Sequence, residues 1–136
     1  MGKVRTNNKA YRLEKHELYM TIHYALRYDE FRREYRDITD SAKAMTYDAD
    51  RVVASACSDP TYRLAERRAE TAKKIMNIEG SVRAAAGDVL YPYILKALTQ
   101  EGANYELLHY EYKMPCGRNL FYLLKRKAYF ILAKKI

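Results

Sequence analysis

The sequence predicts an all-α fold, and three observations carry that reading. Gly and Pro number only 5 and 3 in 136 residues, and most fall where helices should start or stop. Between them apolar residues recur at three- and four-residue spacing, the period of a helix with one buried face. No segment alternates apolar and polar residues as a half-buried strand would, and no internal repeat or low-complexity run is present.

Each element can be justified in order. From Lys9 to about Asp37 there is no breaker, and Tyr24, Tyr28, Phe31, Tyr35 and Ile38 follow the four-and-three spacing of one seam, which Leu18, Ile22 and Ala25 extend. A helix of about 30 residues would be roughly 45 Å long, more than a domain of this size needs, so it must kink or pack against a partner. From Asp40 to Ser58 the period weakens; a connector is expected, with at most a short helix from Ala42 to Met45. Ser58-Asp59-Pro60-Thr61 then opens a helix, with Asp59 or Ser58 as cap and Pro60 in the first turn, where its missing N–H costs nothing. That helix runs to about Ala86, with Leu64, Ala65, Ala69, Ala72, Ile75, Met76, Val82 and Ala86 on or near its apolar face. Gly80 weakens it and Gly87 ends it.

Asp88 can cap a third helix that buries Val89, Leu90, Tyr93, Ile94, Ala97 and Leu98, tolerates Pro92 near its start and stops at Gly102. Asn104 caps a short helix, Tyr105 to about Tyr112, with Leu107 and Leu108 inward. After the turn Lys113-Met114-Pro115-Cys116-Gly117, the last helix buries Phe121, Leu124, Ala128, Ile131 and Leu132. The expected organisation is a long-helix hairpin over residues 1–87, for dimerisation or partner binding, followed by a helical module over 88–136.

Composition narrows the class. One core, or a small bundle with an appended module, suits 16.0 kDa. The 14 tyrosines and absent tryptophan put much apolar surface on rings with a polar tip, which suit interfaces and half-buried sites. Cys57 and Cys116 match no metal or redox spacing and are expected to be free thiols in a reducing compartment. The charged N-terminus lacks the apolar run of a signal peptide, and nowhere do about 18 apolar residues follow one another. The expectation is a cytoplasmic protein without cofactor or membrane association.

Charge locates the function. Residues 113–136 carry seven Lys or Arg and no Asp or Glu, so nearly all of the net charge of +8 lies there. A short helix, a turn and a basic terminal helix match a helix-turn-helix, whose second helix enters the major groove of double-stranded DNA. With Phe121, Leu124 and Ala128 inward, the reading face is expected to present Arg118, Asn119, Tyr122, Lys125 and Arg126. Arg pairs with guanine and Asn with adenine, while Tyr122 reaches a phosphate or a thymine methyl. Lys113, Lys127, Lys134 and Lys135 are assigned to phosphates. The plainer reading is a solvated face, since Lys and Arg near a helix C-terminus also favour the macrodipole. A membrane-surface helix is disfavoured because the aromatic positions are required for packing.

The Ser-Asp-Pro-Thr helix start, AERRAETAKKIMNIEGSV, YPYILKALTQEGANYELL and PCGRNLFYLLKRKAYFILA together resemble small phage and prophage proteins of Gram-positive bacteria related to the ArpU and RinA transcriptional regulators. The resemblance covers about residues 58–136, and PCGRNLFY with the following RKA is its most specific part. It implies a C-terminus similar to sigma-factor region 4 and a regulator of phage genes that binds promoter DNA through its last helix. Where the family commonly has a Ser cap, this chain has Gly117, a weaker cap by only a few tenths of a kcal/mol.

Catalytic and metal chemistry is not expected. Asp48 and Asp50, with Asp59 or Asp40, lack a further ligand at a recognisable spacing. His16 and His23 lie seven apart on one helix face and His109 elsewhere, with no metal-ligand pattern. Cys116, near a helix start among basic residues, has the setting of a lowered thiol pKa but no base placed for it. No phosphate-binding glycine loop or nucleophile elbow occurs, and no enzyme is expected.

The seam of Tyr24, Tyr28, Phe31 and Tyr35 covers the helix after Pro60 in cis, or forms in trans a homodimer that pairs two terminal modules, or binds RNA polymerase. Two rival functions accompany the DNA-binding one. The first is a phage protein whose Tyr- and Arg-rich surface inhibits a host protein such as a defence nuclease or polymerase. The second is a packaging accessory resembling a terminase small subunit, which oligomeric mass would separate from a dimer.

Overall fold

A computed structural model describes residues 10–49 and 58–136, the side chains of residues 44–49, 58 and 59 excepted. Five helices and no strand occur among the described residues: α1 (Lys15–Leu26), α2 (Tyr28–Ala49), α3 (Ser58–Thr99), α4 (Tyr105–Tyr110) and α5 (Arg118–Ala133). The all-α class therefore holds. Cys57 and Asp50 lie outside the described residues, as do the side chains of Asp48, Ser58 and Asp59.

The long first helix is interrupted. Arg27 leaves helical geometry, and its N–H bonds back to the carbonyl of Tyr24 at 3.2 Å, closing a tight turn between α1 and α2. The kink carries no Pro or Gly. It lies beside Tyr28, whose buried ring donates its hydroxyl to the Glu79 carboxylate. Of the connector expected from Asp40 to Ser58, residues 40–49 are helical, since α2 continues to Ala49, and residues 50–57 lie outside the described residues. Thr39 stays in that helix because its hydroxyl donates to the Tyr35 carbonyl at 2.8 Å rather than competing for the backbone elsewhere.

Within α3, Gly87 adopts φ 75° and ψ 176°, a conformation open essentially to Gly alone. It breaks the helix where expected. Asp88, expected as a cap, has its carboxylate paired with Arg83 Nη1 at 2.9 Å. The buried side of α3 is Thr71, Ile78, Ser81, Val82 and Ala85, then Ile94, Ala97 and Leu98. Met76 and Val89, expected inside, are 68% and 73% exposed, and Ala65 and Ala69 also face solvent. The inward track was hidden by its polar members: Thr71 and Ser81 donate to the carbonyls of Arg67 and Asn77 four residues back, so burial leaves neither hydroxyl unsatisfied.

Packing divides the chain into two units. The terminal unit joins the residues up to Tyr28 with those from Asn77 to Ile136, and the middle unit comprises Asp29–Met76. This division by packing falls inside α3, and the buried Ile78, Val82 and Ala85 belong to the terminal unit. In that unit α1 packs on α5. Ile94, Leu98, Leu108, Met114, Phe121 and Leu132 are fully enclosed. No helix among the described residues is long and apolar enough to cross a membrane.

Candidate nucleic-acid interface

The local sequence around α5 fixes where its basic residues can point. Asn104 Oδ1 accepts from the Leu107 N–H at 2.9 Å and starts α4 as expected. α4 then spans 6 residues, ending at Tyr110. The connection that follows, 111–117, is longer than the roughly three- or four-residue turn of a compact helix-turn-helix. Lys113 reverses the chain at φ 55°, unusual for a side chain larger than Gly. Met114 anchors the connection by burying its thioether and donating its N–H to the Leu108 carbonyl at 3.0 Å. Tyr105 Oη also donates to the Cys116 carbonyl at 3.4 Å. Gly117 stands at the N-cap of α5 with no side-chain cap bond.

The inward side of α5 is Phe121, Ala128, Tyr129 and Leu132, while Leu124 and Ile131, expected with them, are half-buried. Tyr129 was not foreseen as a core residue, and burial pushes its phenol up to about 12. Asn119, Tyr122 and Arg126, spaced three and four apart, share the exposed side.

The other assigned residues separate from this face. Lys125, expected to read bases, is half-buried, and desolvation lowers its ammonium below the ordinary lysine range. The cause is its register: it lies four residues after the buried Phe121, whose ring centroid is 5.9 Å from its Nζ. Lys127 is half-buried too, 5.9 Å from the ring of Tyr11, which itself meets Phe130 edge-on at 5.7 Å. Lys134 is exposed, with its Nζ 4.2 Å from the Phe130 ring centroid. Lys135 lies along α3, its Nζ only 3.3 Å from where a Cβ on Gly80 would stand. Gly80 thus admits the lysine rather than merely weakening the helix.

Arg118 is exposed but engaged. Its Nη2 lies 2.7 Å from Glu106 Oε1, and its guanidinium is 4.9 Å from the centre of the Tyr105 ring. Glu106 is held below the ordinary carboxylate range by its own backbone N–H and by Arg118, while the same pairing raises Arg118. Glu106 and Tyr105 escaped the sequence reading because they lie 12 and 13 residues before Arg118, beyond any helical spacing. Cys116 is a free thiol that burial pushes up, the reverse of what a nucleophile at a helix start requires.

In the N-terminal seam, Tyr28 and Phe31 are buried within the chain, and Lys74 Nζ sits 5.3 Å from the Phe31 ring centroid. Tyr24 is half-buried, and burial raises its phenol against the opposing hydrogen bond with Asn77 and the charge of Arg27. Tyr35 is half-buried and accepts from Arg68 Nε and Nη2, each at 3.3 Å. Among the described residues no group of three or more His, Cys, Asp or Glu could hold a metal ion. No protein-family model matches the chain, and neither the curated proteins nor the solved structures compared with it contain a match.

Proposed function

We propose that the chain binds double-stranded DNA through the exposed side of α5, as a transcriptional regulator of the phage type that its C-terminal half resembles. One observation carries the reading: Asn119, Tyr122 and Arg126 share a solvent-facing side of a helix within a 24-residue segment free of acidic residues. Asn119 supplies the donor and acceptor that match adenine, Arg126 the fork that matches guanine, and Tyr122 a hydroxyl for a phosphate. Lys113, Lys134 and Lys135 supply charge at the two ends of the helix, suited to phosphates. Arg118 can reach DNA only by exchanging Glu106 for a phosphate or base, so its contribution is net of a lost ion pair.

The test is fluorescence anisotropy of the full chain with labelled duplexes from its own gene neighbourhood and a scrambled duplex, at about 50 and 200 mM salt, where phosphate contacts show. Sequence-selective binding is expected to survive the higher salt. Arg126→Ala should cost about 1–3 kcal/mol on the preferred duplex and little on the scrambled one. Equal affinity for both duplexes, abolished by salt, would reduce α5 to a charged surface.

A further inference from the structure

We propose that the middle unit carries a docking groove for an acidic amphipathic helix of another protein. The groove lies between α2 and residues 72–76 of α3 and has a volume of about 610 Å³. One wall is a stripe of α2: Arg32, Arg36 and Lys43, with Tyr35 and Thr39 beneath them. From Arg32 to Lys43 the stripe is roughly 16 Å long, about three helical turns. Ala72, Ile75 and the 68%-exposed Met76 form an apolar floor opposite. Among the described residues of this lining Asp40 is the one that is acidic, against Arg32, Arg36 and Lys43, so their sum is net cationic.

Its parts are held in place. Tyr35 is pinned by Arg68, which bonds its hydroxyl and lies 5.3 Å from its ring centre. Thr39 has its hydroxyl donated to the Tyr35 carbonyl. Arg, Tyr and Met are also the residue types concentrated at protein interfaces. The opposite flank of α2 is different: Glu30, Glu34 and Asp37 stand among Arg33 and Arg67, and Arg67 Nη2 lies 3.6 Å from Glu34 Oε1. That flank mixes both signs of charge and is net acidic. In the 610 Å³ groove the rim carries an excess of cations beside uncovered apolar side chains.

Charge and shape together select the occupant. A second copy offering its acidic flank would bring carboxylates but little apolar ridge, because Ile38 on that flank is buried and Leu64 half-buried. A nucleic acid would satisfy Arg36 and Lys43 and leave Ile75 and Met76 wet. An amphipathic helix with acidic edges supplies both halves, apolar side chains at every third or fourth position for the floor and carboxylates for the rim.

The experiment titrates the full chain into a fluorescein-labelled 18-residue helical peptide with leucines on one face and glutamates along its edges, and into the same peptide with lysine for each glutamate. Saturable binding of the glutamate peptide alone is expected. Affinity should fall roughly tenfold or more in Arg36→Glu/Lys43→Glu and in Met76→Glu, all exposed positions whose folding circular dichroism checks. Failure to bind, or equal binding by the charge-reversed variant, would overturn the proposal. Two further results would also overturn it: displacement of the peptide by duplex DNA with the same Arg36 and Lys43 sensitivity, or concentration-dependent self-association that the same reversal abolishes. The first would assign the groove to nucleic acid and the second to another copy of the chain.

Discussion

The terminal and middle units differ in what lies beneath their charge. In the terminal unit, three parts of the chain, α1, residues 77–110 and α5, enclose Ile78, Val82, Ile94, Leu98, Leu108, Phe121 and Leu132. Arg118, Arg126, Lys134 and Lys135 are left on the outside of that core, with Lys125 and Lys127 half-buried at its edge. In the middle unit only Phe31, Ile38 and Thr71 are buried among the described residues, and Met76 and Ile75 remain within reach of solvent under a cationic rim. Positive charge alone therefore does not select a partner. Over a closed core it suits a polyanion that brings little apolar surface, and over an apolar floor it suits a protein that brings both.

The largest expected effect tests the difference in packing. Phe121→Ala and Phe31→Ala each empty a fully buried ring site, but Phe121 belongs to the unit with the larger enclosed core. Phe121→Ala should cost about 3–5 kcal/mol in urea denaturation and Phe31→Ala an amount at or below the lower end of that range. Equal losses would mean that the middle unit is as tightly built as the terminal one.

A second prediction sharpens the same contrast by pH. Burial raises the Tyr129 phenol in the terminal unit to about 12, whereas an unfolded tyrosine ionises near its ordinary 10.0. Between these values the unfolded state holds fewer protons, so stability is intact below about pH 10 and falls as pH rises toward 12. The loss should approach about 3 kcal/mol at most, and Tyr129→Phe should remove most of it when urea midpoints at pH 9 and 11 are compared. An unchanged alkaline drop in Tyr129→Phe would place its cause elsewhere.

The smallest effect concerns Arg118. Glu106→Gln removes the carboxylate that competes with DNA, so affinity for the preferred duplex should rise by a few fold at low salt, with fold and melting temperature nearly unchanged. A fall in affinity would show that the pair serves to orient α5 rather than to occupy Arg118.

How much of this was legible in the sequence depended on whether the signal was local. The Asn104 cap, the breaks at Gly87 and Gly102, both at positive φ, and the Phe121–Ala128–Leu132 side of α5 follow from residue type and spacing. The turn at Arg27 has no Pro or Gly to announce it. The helical continuation through 40–49 runs against the weak local pattern. The α3 stripe was misplaced because Thr71 and Ser81 read as polar while folding inward. Of the α5 residues, Lys125 was legible after all, since its four-residue distance from Phe121 already places it over that ring. The Glu106–Arg118 pair was not, because it forms across the connection between two helices.

The most direct measurement of the central claim reverses charge on the two basic surfaces in parallel and follows binding to one duplex by anisotropy. Arg126→Glu with Lys134→Glu should reduce DNA affinity by roughly 100-fold or more at low salt, and Arg36→Glu with Lys43→Glu should leave it within about threefold of the parent. Equal loss from both pairs, or loss from the middle-unit pair alone, would contradict the assignment of DNA binding to α5.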